Sequence, residues 1–191
     1  MLALQGDFQE HMSCLGRLGA EAAPVRLPEE LDGLDGLVIP GGESTTISDL
    51  MEEYGLAAGV QRMAAEGKPL WGTCAGMILM AKDVEDSNRS RLNLMDIKVR
   101  RNAYGSQVDS FEAEVEVPAL GNPPLRAVFI RAPVIQCVGP GVEVLARLAD
   151  GTPVAVRQGN LLAAAFHPEL TGDLRFHAYF LKMMEALSPK D

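Results

Sequence analysis

The apolar stretch Pro69-Leu70-Trp71 runs into Gly72-Thr73-Cys74-Ala75-Gly76, and the apolar residues 77–81 follow with no spacer. This is the pattern of a strand that turns abruptly into a helix, with glycines two before and two after the central residue removing side chains that would collide at the turn. The junction narrows the fold more than any other feature. Strands that pass straight into helices belong to sheets whose parallel strands are joined by helical crossovers and covered on both faces. The pattern also presents a thiol, because G-x-C-x-G is the counterpart of the G-x-S-x-G nucleophile elbow, and a helix N-terminus favours thiolate. A buried structural role is the plainer reading of an average cysteine, but the elbow around Cys74 favours a nucleophile.

The same alternation recurs nearby. Residues 34–39 form an apolar run that stops at Pro40-Gly41-Gly42-Glu43-Ser44-Thr45-Thr46, after which Ile47, Leu50, Met51 and Tyr54 keep helical spacing up to Gly55. A further helix carrying Leu56, Val60 and Met63 reaches Gly67. Near the start, residues 1–5 read as a short strand. Asp7 and Glu10 then have capping-box spacing, and Phe8, Met12, Leu15 and Leu18 mark an amphipathic helix ending near Gly19, with Cys14 beside the stripe. Beyond residue 80, strand-like runs at 96–99, 111–117, 127–130, 142–148, 153–157 and 161–166 predict an antiparallel addition to the sheet, with Gly159-Asn160 as a tight turn between the last two. A closing helix over 173–187 turns Leu174, Ala178, Leu181 and Met184 toward the core. The expected architecture is α/β: one three-layer domain over residues 1–191, with a mixed, mostly parallel sheet flanked by helices.

Composition excludes several classes of function. Acidic residues outnumber basic ones 26 to 17, and a net charge of −9 leaves no electrostatic footprint for nucleic acid. The longest apolar stretches, such as 161–166, fall far short of the ~20 residues that cross a bilayer, and no Lys or Arg precedes Arg17 to form a signal-peptide n-region. No membrane association and a cytoplasmic location are expected. Cys14, Cys74 and Cys137 are an odd count at irregular spacing, which suits neither a disulfide framework nor a zinc site, and so fits a reducing compartment with no metal. Cys14 and Cys137 are expected to be packing residues.

A thiol nucleophile needs a base, and there are three histidines. His11 and His177 lie within amphipathic helices, where surface or packing roles fit. His167 follows the run 161–166, at the carboxyl end of a strand, where open α/β sheets place their ligands and where Cys74 lies too. In Phe166-His167-Pro168-Glu169-Leu170-Thr171 the side chains of His167 and Glu169 point the same way if the segment is extended. Glu169 then either orients the imidazole or is a solvated carboxylate at a helix start. The paired glycines of Gly41-Gly42-Glu43-Ser44 allow the backbone to approach a developing oxyanion, which makes the N–H groups of Gly42 and Ala75 candidate donors; an ordinary turn would use the same glycines.

Taken in order, the segments around Gly41-Gly42, Cys74 and His167, with Arg100-Arg101-Asn102-Ala103-Tyr104-Gly105 between the last two, resemble the class I glutamine amidotransferases. Together with Leu2-Ala3-Leu4-Gln5-Gly6 they are similar, over nearly the whole chain, to the glutaminase subunits of pyridoxal 5′-phosphate synthases. The resemblance implies a flavodoxin-like fold with Cys74 as nucleophile, His167 as general base and Glu169 as its orienting carboxylate. It places contacts to L-glutamine on Gly42, Glu43 and Ser44, on Arg101, and on Ile130 and Arg131, the last chiefly through backbone. Arg101 has an independent rationale, since a guanidinium grips a substrate carboxylate in bidentate fashion, although an ordinary surface arginine would look the same.

The resemblance further implies hydrolysis of L-glutamine to L-glutamate and ammonia through a γ-glutamyl thioester, with no metal or organic cofactor. It implies docking on a synthase subunit in a large hetero-oligomer, which activates the glutaminase and channels ammonia into the pyridoxal ring along with ribose 5-phosphate and glyceraldehyde 3-phosphate. Two departures stand out. The first strand looks shortened, and Ser106 stands where the family pattern carries arginine, which bears on a charge near the glutamine site or the subunit interface. Two other readings compete. One is a glutaminase serving another amidotransferase, such as imidazole glycerol phosphate synthase. The other is a redox or binding protein with its cysteine on an elbow in an α/β sheet, against which the His167-Pro168-Glu169 segment speaks.

Overall fold

Side chains alternate across strands β1 (Leu37–Ile39) and β2 (Leu70–Thr73), and that alternation divides the interior into two cores. Leu37, Ile39 and Leu70 face one side, where they meet α2 (Ser44–Glu53), α3 (Leu56–Ala65) and α4 (Ala75–Met80) through Ile47, Met51, Leu56, Val60, Met63 and Leu79. Val38 and Trp71 face the other, with Leu15 of α1 (Phe8–Arg17) and Phe176, Phe180 and Met183 of α5 (Arg175–Glu185). A sheet between two helical layers results, as expected. The computed structural model describes residues 1–85, 91–101 and 110–187.

The central sheet has the order β1-β2-β10-β9-β8, where β8 is Glu143–Arg147, β9 Pro153–Gln158 and β10 Leu161–Ala164. β1 and β10 run parallel to β2, bringing Ala164 beside Thr73, so the chain leaves β2 and β10 at the same end of the sheet. β9 and β8 continue the sheet antiparallel, with Gly159 at φ +58° in the β9–β10 turn. This much matches the expected mixed sheet. The remaining strands form separate sheets: β3 (Ala81–Val84), β4 (Met95–Arg100) and β7 (Val134–Val138) in one, and the ribbon of β5 (Ser110–Val115) with β6 (Leu125–Ile130) in another. Among the described residues antiparallel pairings outnumber parallel ones, which corrects the expectation of a mostly parallel sheet. The cause lies partly in α4. Six residues of helix rise only about 9 Å, too short for a crossover back to the central sheet, so β3 begins a new sheet instead. Neither β3 nor β7 is foreseen from the sequence.

Three smaller expectations also change. Residues 1–5 contribute only an isolated parallel bridge, Leu2 to Val25, reinforced by Leu2 N–H donating to the Val38 carbonyl at 2.9 Å. α1 buries His11, Cys14 and Leu15 rather than a stripe from Phe8 to Leu18, and α5 buries Phe176, His177, Phe180 and Met183 rather than Leu174, Ala178, Leu181 and Met184. Helical spacing fits either stripe on α5, and ring size decides between them: the rings of Phe176, stacked, and Phe180, tilted, each centre 5.5 Å from that of the buried Trp71. Cys14 is buried as expected, but Cys137 is exposed on β7 and is not a packing residue. No helix among the described residues is long and apolar enough to cross a membrane.

Candidate active site

At the end of β2 the chain turns through Cys74 at φ +46°, ψ −102°, and α4 begins at once. A conformation that an L-residue rarely adopts costs on the order of 1–3 kcal/mol and persists only where the surroundings impose it. Here the neighbours do so. A Cβ on Gly76 would lie 2.0 Å from the Ile39 carbonyl oxygen, and one on Gly72 would lie 2.5–2.7 Å from the backbone of Gly76 and Met77. Both glycines of the G-x-C-x-G pattern are therefore required by backbone packing, and the Cys74 N–H, donating to the Ala164 carbonyl at 2.8 Å, ties the elbow to β10.

β10 leads through Phe166 to His167, whose N–H donates to the Val128 carbonyl of β6 at 2.8 Å. The Pro168–Leu170 turn then brings Glu169 back, with its Oε1 2.7 Å from His167 Nδ1. Both side chains are buried. Glu169 is thus buried against the imidazole rather than solvated. Burial alone would lower the His167 pKa, but hydrogen bonds to Asp7, Cys74 and Glu169 push it up to about 12. Burial alone would raise that of Glu169, but His11 and His167 hold it down at about 2. The imidazole is therefore an imidazolium beside Cys74, positive charge placed where a thiolate needs it.

Cys74 and His167 lie in a cleft of about 360 Å³, lined also by Gly42, Glu43, Ser44, Ala75, Arg101, Ile130 and Arg131. Every candidate named from the sequence except the buried Glu169 lines that one cleft. Arg131 adopts φ +41° at the end of β6, leaving the Ile130 carbonyl 3.9 Å from Cys74 Sγ. Ala75 heads α4, in the first turn, where a helix provides no acceptor for its N–H, and Gly42 sits opposite in the Gly-Gly loop. The Glu43 carboxylate has a second occupation: it caps α2, accepting from Thr45 N–H at 3.0 Å and Thr46 N–H at 2.7 Å. Burial opposes its ionisation, but these bonds and the threonine hydroxyls lower its pKa to about 2. Arg101 reaches across from the end of β4, with a guanidinium nitrogen 3.5 Å from Glu43 Oε1 and 3.3 Å from Thr45 Oγ1. Ser106 and the rest of the Arg100-Arg101 segment after residue 101 lie outside the described residues.

Sequence reasoning missed Gln5 and Asp7. Gln5 Oε1 accepts from Glu43 N–H at 2.7 Å and so pins the Gly-Gly loop. Asp7 precedes α1, yet its side chain makes no cap, which departs from the expected capping box; its Oδ2 instead lies 3.4 Å from His167 Nδ1. The Leu2-Ala3-Leu4-Gln5-Gly6 segment was the available signal, since it marks a chain stretch beside the loop without saying why. Asp7, His167 and Glu169 bring ligand-type atoms within 4.8 Å of one another, a spacing that could hold a cation. A protonated His167 cannot ligate, however, and its Nδ1–H is already committed to Glu169.

Two expected outcomes arise from this geometry. A Cβ at Gly41 would lie 2.3 Å from His167 Cε1 and 2.9 Å from Nδ1, so Gly41→Ala displaces the imidazole. Its kcat should fall about 10²-fold, the size of effect that a ~1 Å misplacement produces, with a much smaller change in KM in steady-state kinetics. The second outcome concerns pH. Burial lowers the His177 pKa to about 3, so between pH 6.5 and that value the unfolded chain binds a proton that the folded chain refuses, and stability falls as pH falls. Glu169 adds to the loss only below its ordinary value of 4.5. The melting temperature should therefore drop from pH 6.5 to 4.5 in the wild type and drop less over that interval in His177→Phe.

The chain is similar to known proteins along nearly its whole length. The model of the SNO glutamine amidotransferase family matches residues 1–186. The pyridoxal 5′-phosphate synthase subunit PdxT of Dehalococcoides mccartyi is 57% identical over 185 residues, covering 96% of this chain and 95% of that protein. The subunit of the same name from Herpetosiphon aurantiacus is 58% identical over 184 residues, covering 95% and 97%. A crystal structure described as a glutamine amidotransferase superimposes with a TM-score of 0.92 at 53% identity, covering 96% of this chain and 97% of that one. A thiol on a strained elbow, a carboxylate-oriented imidazolium beside it and agreement along nearly the whole length lead to one assignment: the chain belongs to the SNO glutamine amidotransferase family.

Proposed function

We propose that this chain is the glutaminase subunit of a pyridoxal 5′-phosphate synthase, acting as one domain over residues 1–191. The observation that carries the reading is the line Cys74, His167, Glu169 at one end of the central sheet, in a chain 57% identical to a protein bearing that subunit's name. L-Glutamine enters the cleft with its side-chain amide toward Cys74 and its carboxylate toward the Arg101 guanidinium. Glu43, Ser44, Ile130 and Arg131 form the walls of the cleft around the substrate.

The Cys74 thiolate attacks the amide carbon, and the N–H groups of Gly42 and Ala75 hold the oxyanion that forms. As the C–N bond breaks, His167 gives its proton to the departing ammonia. A water then attacks the γ-glutamyl thioester, yielding its proton to the now neutral His167. Glutamate leaves, and the thiolate and imidazolium are restored. Glu169 keeps the imidazole in one orientation throughout, and the chemistry asks for no metal or organic cofactor. The ammonia passes to a synthase subunit within a large hetero-oligomer in the cytoplasm.

Glutamate release from L-glutamine, measured with and without the synthase subunit, tests the reading. Turnover is expected only with the partner present. Brisk turnover by the chain alone would overturn the coupling to a synthase, and activation by an imidazole glycerol phosphate synthase partner instead would transfer the subunit to that enzyme.

A further inference from the structure

All three histidines of the chain meet in one buried run. His177 Nε2 lies 2.9 Å from His11 Nδ1, and His11 Nε2 lies 3.1 Å from both Thr73 Oγ1 and Glu169 Oε2. The ring N–H geometry at His11 Nε2 is aligned on Thr73, with the Glu169 oxygen off the axis at the same distance. His11, Thr73 and His177 are wholly inaccessible to solvent. Trp71 stands edge-on to both imidazoles, its ring centre 5.3 Å from that of His11 and 4.9 Å from that of His177. Among the described residues His177 Nδ1 has no hydrogen-bond partner, and Glu169 Oε2 has no well-aligned one, only the His11 Nε2 contact at 3.1 Å.

Those two atoms decide where the protons sit. A buried N–H with no acceptor is rarer and costlier than a lone pair with no donor, so His177 is neutral with its proton on Nε2 and a bare nitrogen at Nδ1. His177 Nε2–H then donates to His11 Nδ1, which must accept. The proton of His11 is thereby placed on Nε2, the edge turned to Thr73 and Glu169. The opposite arrangement would strand an N–H on His177 and set a lone pair of His11 against a carboxylate oxygen at 3.1 Å.

We infer that His11, locked as the Nε2–H tautomer by His177, is the outer positioning residue of the Glu169–His167 pair. It shares one N–H between Thr73 Oγ1, on the residue before the nucleophile, and Glu169 Oε2, the carboxylate oxygen that His167 does not use. The strand end that carries Cys74 and the turn that carries the acid–base pair are thus referenced to one ring on α1, and that ring to α5. The kinetic consequence rests on the glutaminase reading given above; the tautomer assignment does not.

With only three imidazoles in the chain, a ¹⁵N-histidine-labelled sample without an added tag gives three ring systems in long-range ¹H–¹⁵N spectra. Both His11 and His177 should show the Nε2–H pattern, and a proton on Nδ1 of either ring would overturn the assignment. In the complex with the synthase subunit, His11→Phe should lower kcat about 10- to 100-fold with KM unchanged, the usual cost of losing an outer partner of an active-site ligand. His11→Gln, whose amide reaches the place of Nε2, should recover most of that loss. A glutamine variant no better than phenylalanine, or an effect confined to KM, sinks the positioning role. If the wild-type complex releases no glutamate, the glutaminase reading fails by itself, and the His167 Nδ1–H resonance then decides: it moves in His11→Phe and returns in His11→Gln if His11 holds Glu169, and stays in place in both variants if it does not.

Discussion

Cys74→Ala should abolish glutamate release by the chain combined with its synthase subunit, with a loss of at least about 10⁴-fold, because the acyl intermediate forms on the Cys74 sulfur beside the His167 imidazole. The fold should survive the change. Alanine at φ +46° carries the same backbone strain as cysteine, and the elbow is held by Gly72, Gly76 and the Cys74 N–H bond to Ala164, none of which involves the thiol. A melting midpoint within a few degrees of wild type, measured beside the glutamate assay, separates lost chemistry from lost structure. Cys137→Ser, at an exposed strand position outside the cleft lining, is the matched control and should keep full turnover. Retained ammonia production by Cys74→Ala would remove the nucleophile assignment and with it the whole mechanism.

His167→Asn should cost nearly as much, about 10³- to 10⁴-fold in kcat. Asparagine can place an N–H near the position of Nδ1 and so keep a bond to Glu169, which protects the surrounding structure. It offers nothing at the position of Nε2, from which the proton goes to departing ammonia and to which the hydrolytic water delivers its own. Because thiolate and imidazolium form one unit, the double variant Cys74→Ala/His167→Asn should be no slower than the worse single one. Multiplying losses in that cycle would mean that the two side chains act independently, which the 2.7 Å Glu169 contact and the raised His167 pKa give no reason to expect.

The elbow was legible in the sequence because its glycines answer a backbone demand: Gly72 and Gly76 face main-chain atoms, and no side chain fits there. His167 and Glu169 were legible for a related reason, since their spacing and the proline between them fix a local geometry. The α5 stripe was misread because apolar periodicity is nearly degenerate along that helix, and only the presence of Trp71 across the core selects Phe176, His177 and Phe180. Asp7 carried a misleading local signal, a capping-box spacing whose carboxylate turns out to serve His167. The split into three sheets depends on how far a six-residue helix can carry the chain, and strand patterns alone do not encode that length. His11 looked like any histidine in an amphipathic helix; its partners come from Thr73, Glu169 and His177, distant in sequence, and no local pattern could assemble them.

Burial of all three imidazoles leaves the exterior of this protein without a group of the kind that ordinarily changes charge near neutrality. With no imidazole on the surface, the outer face is dominated by carboxylates, lysines and arginines, side-chain types whose ordinary pKa values lie well away from neutrality, so between about pH 6 and 8 it presents an almost constant electric face to whatever it meets. Salt will weaken an encounter steered by that face, whereas a drift in acidity will not. A pH effect on the assembled enzyme that originates in this chain would accordingly trace to its interior, and a pH effect on docking would trace to the other partner.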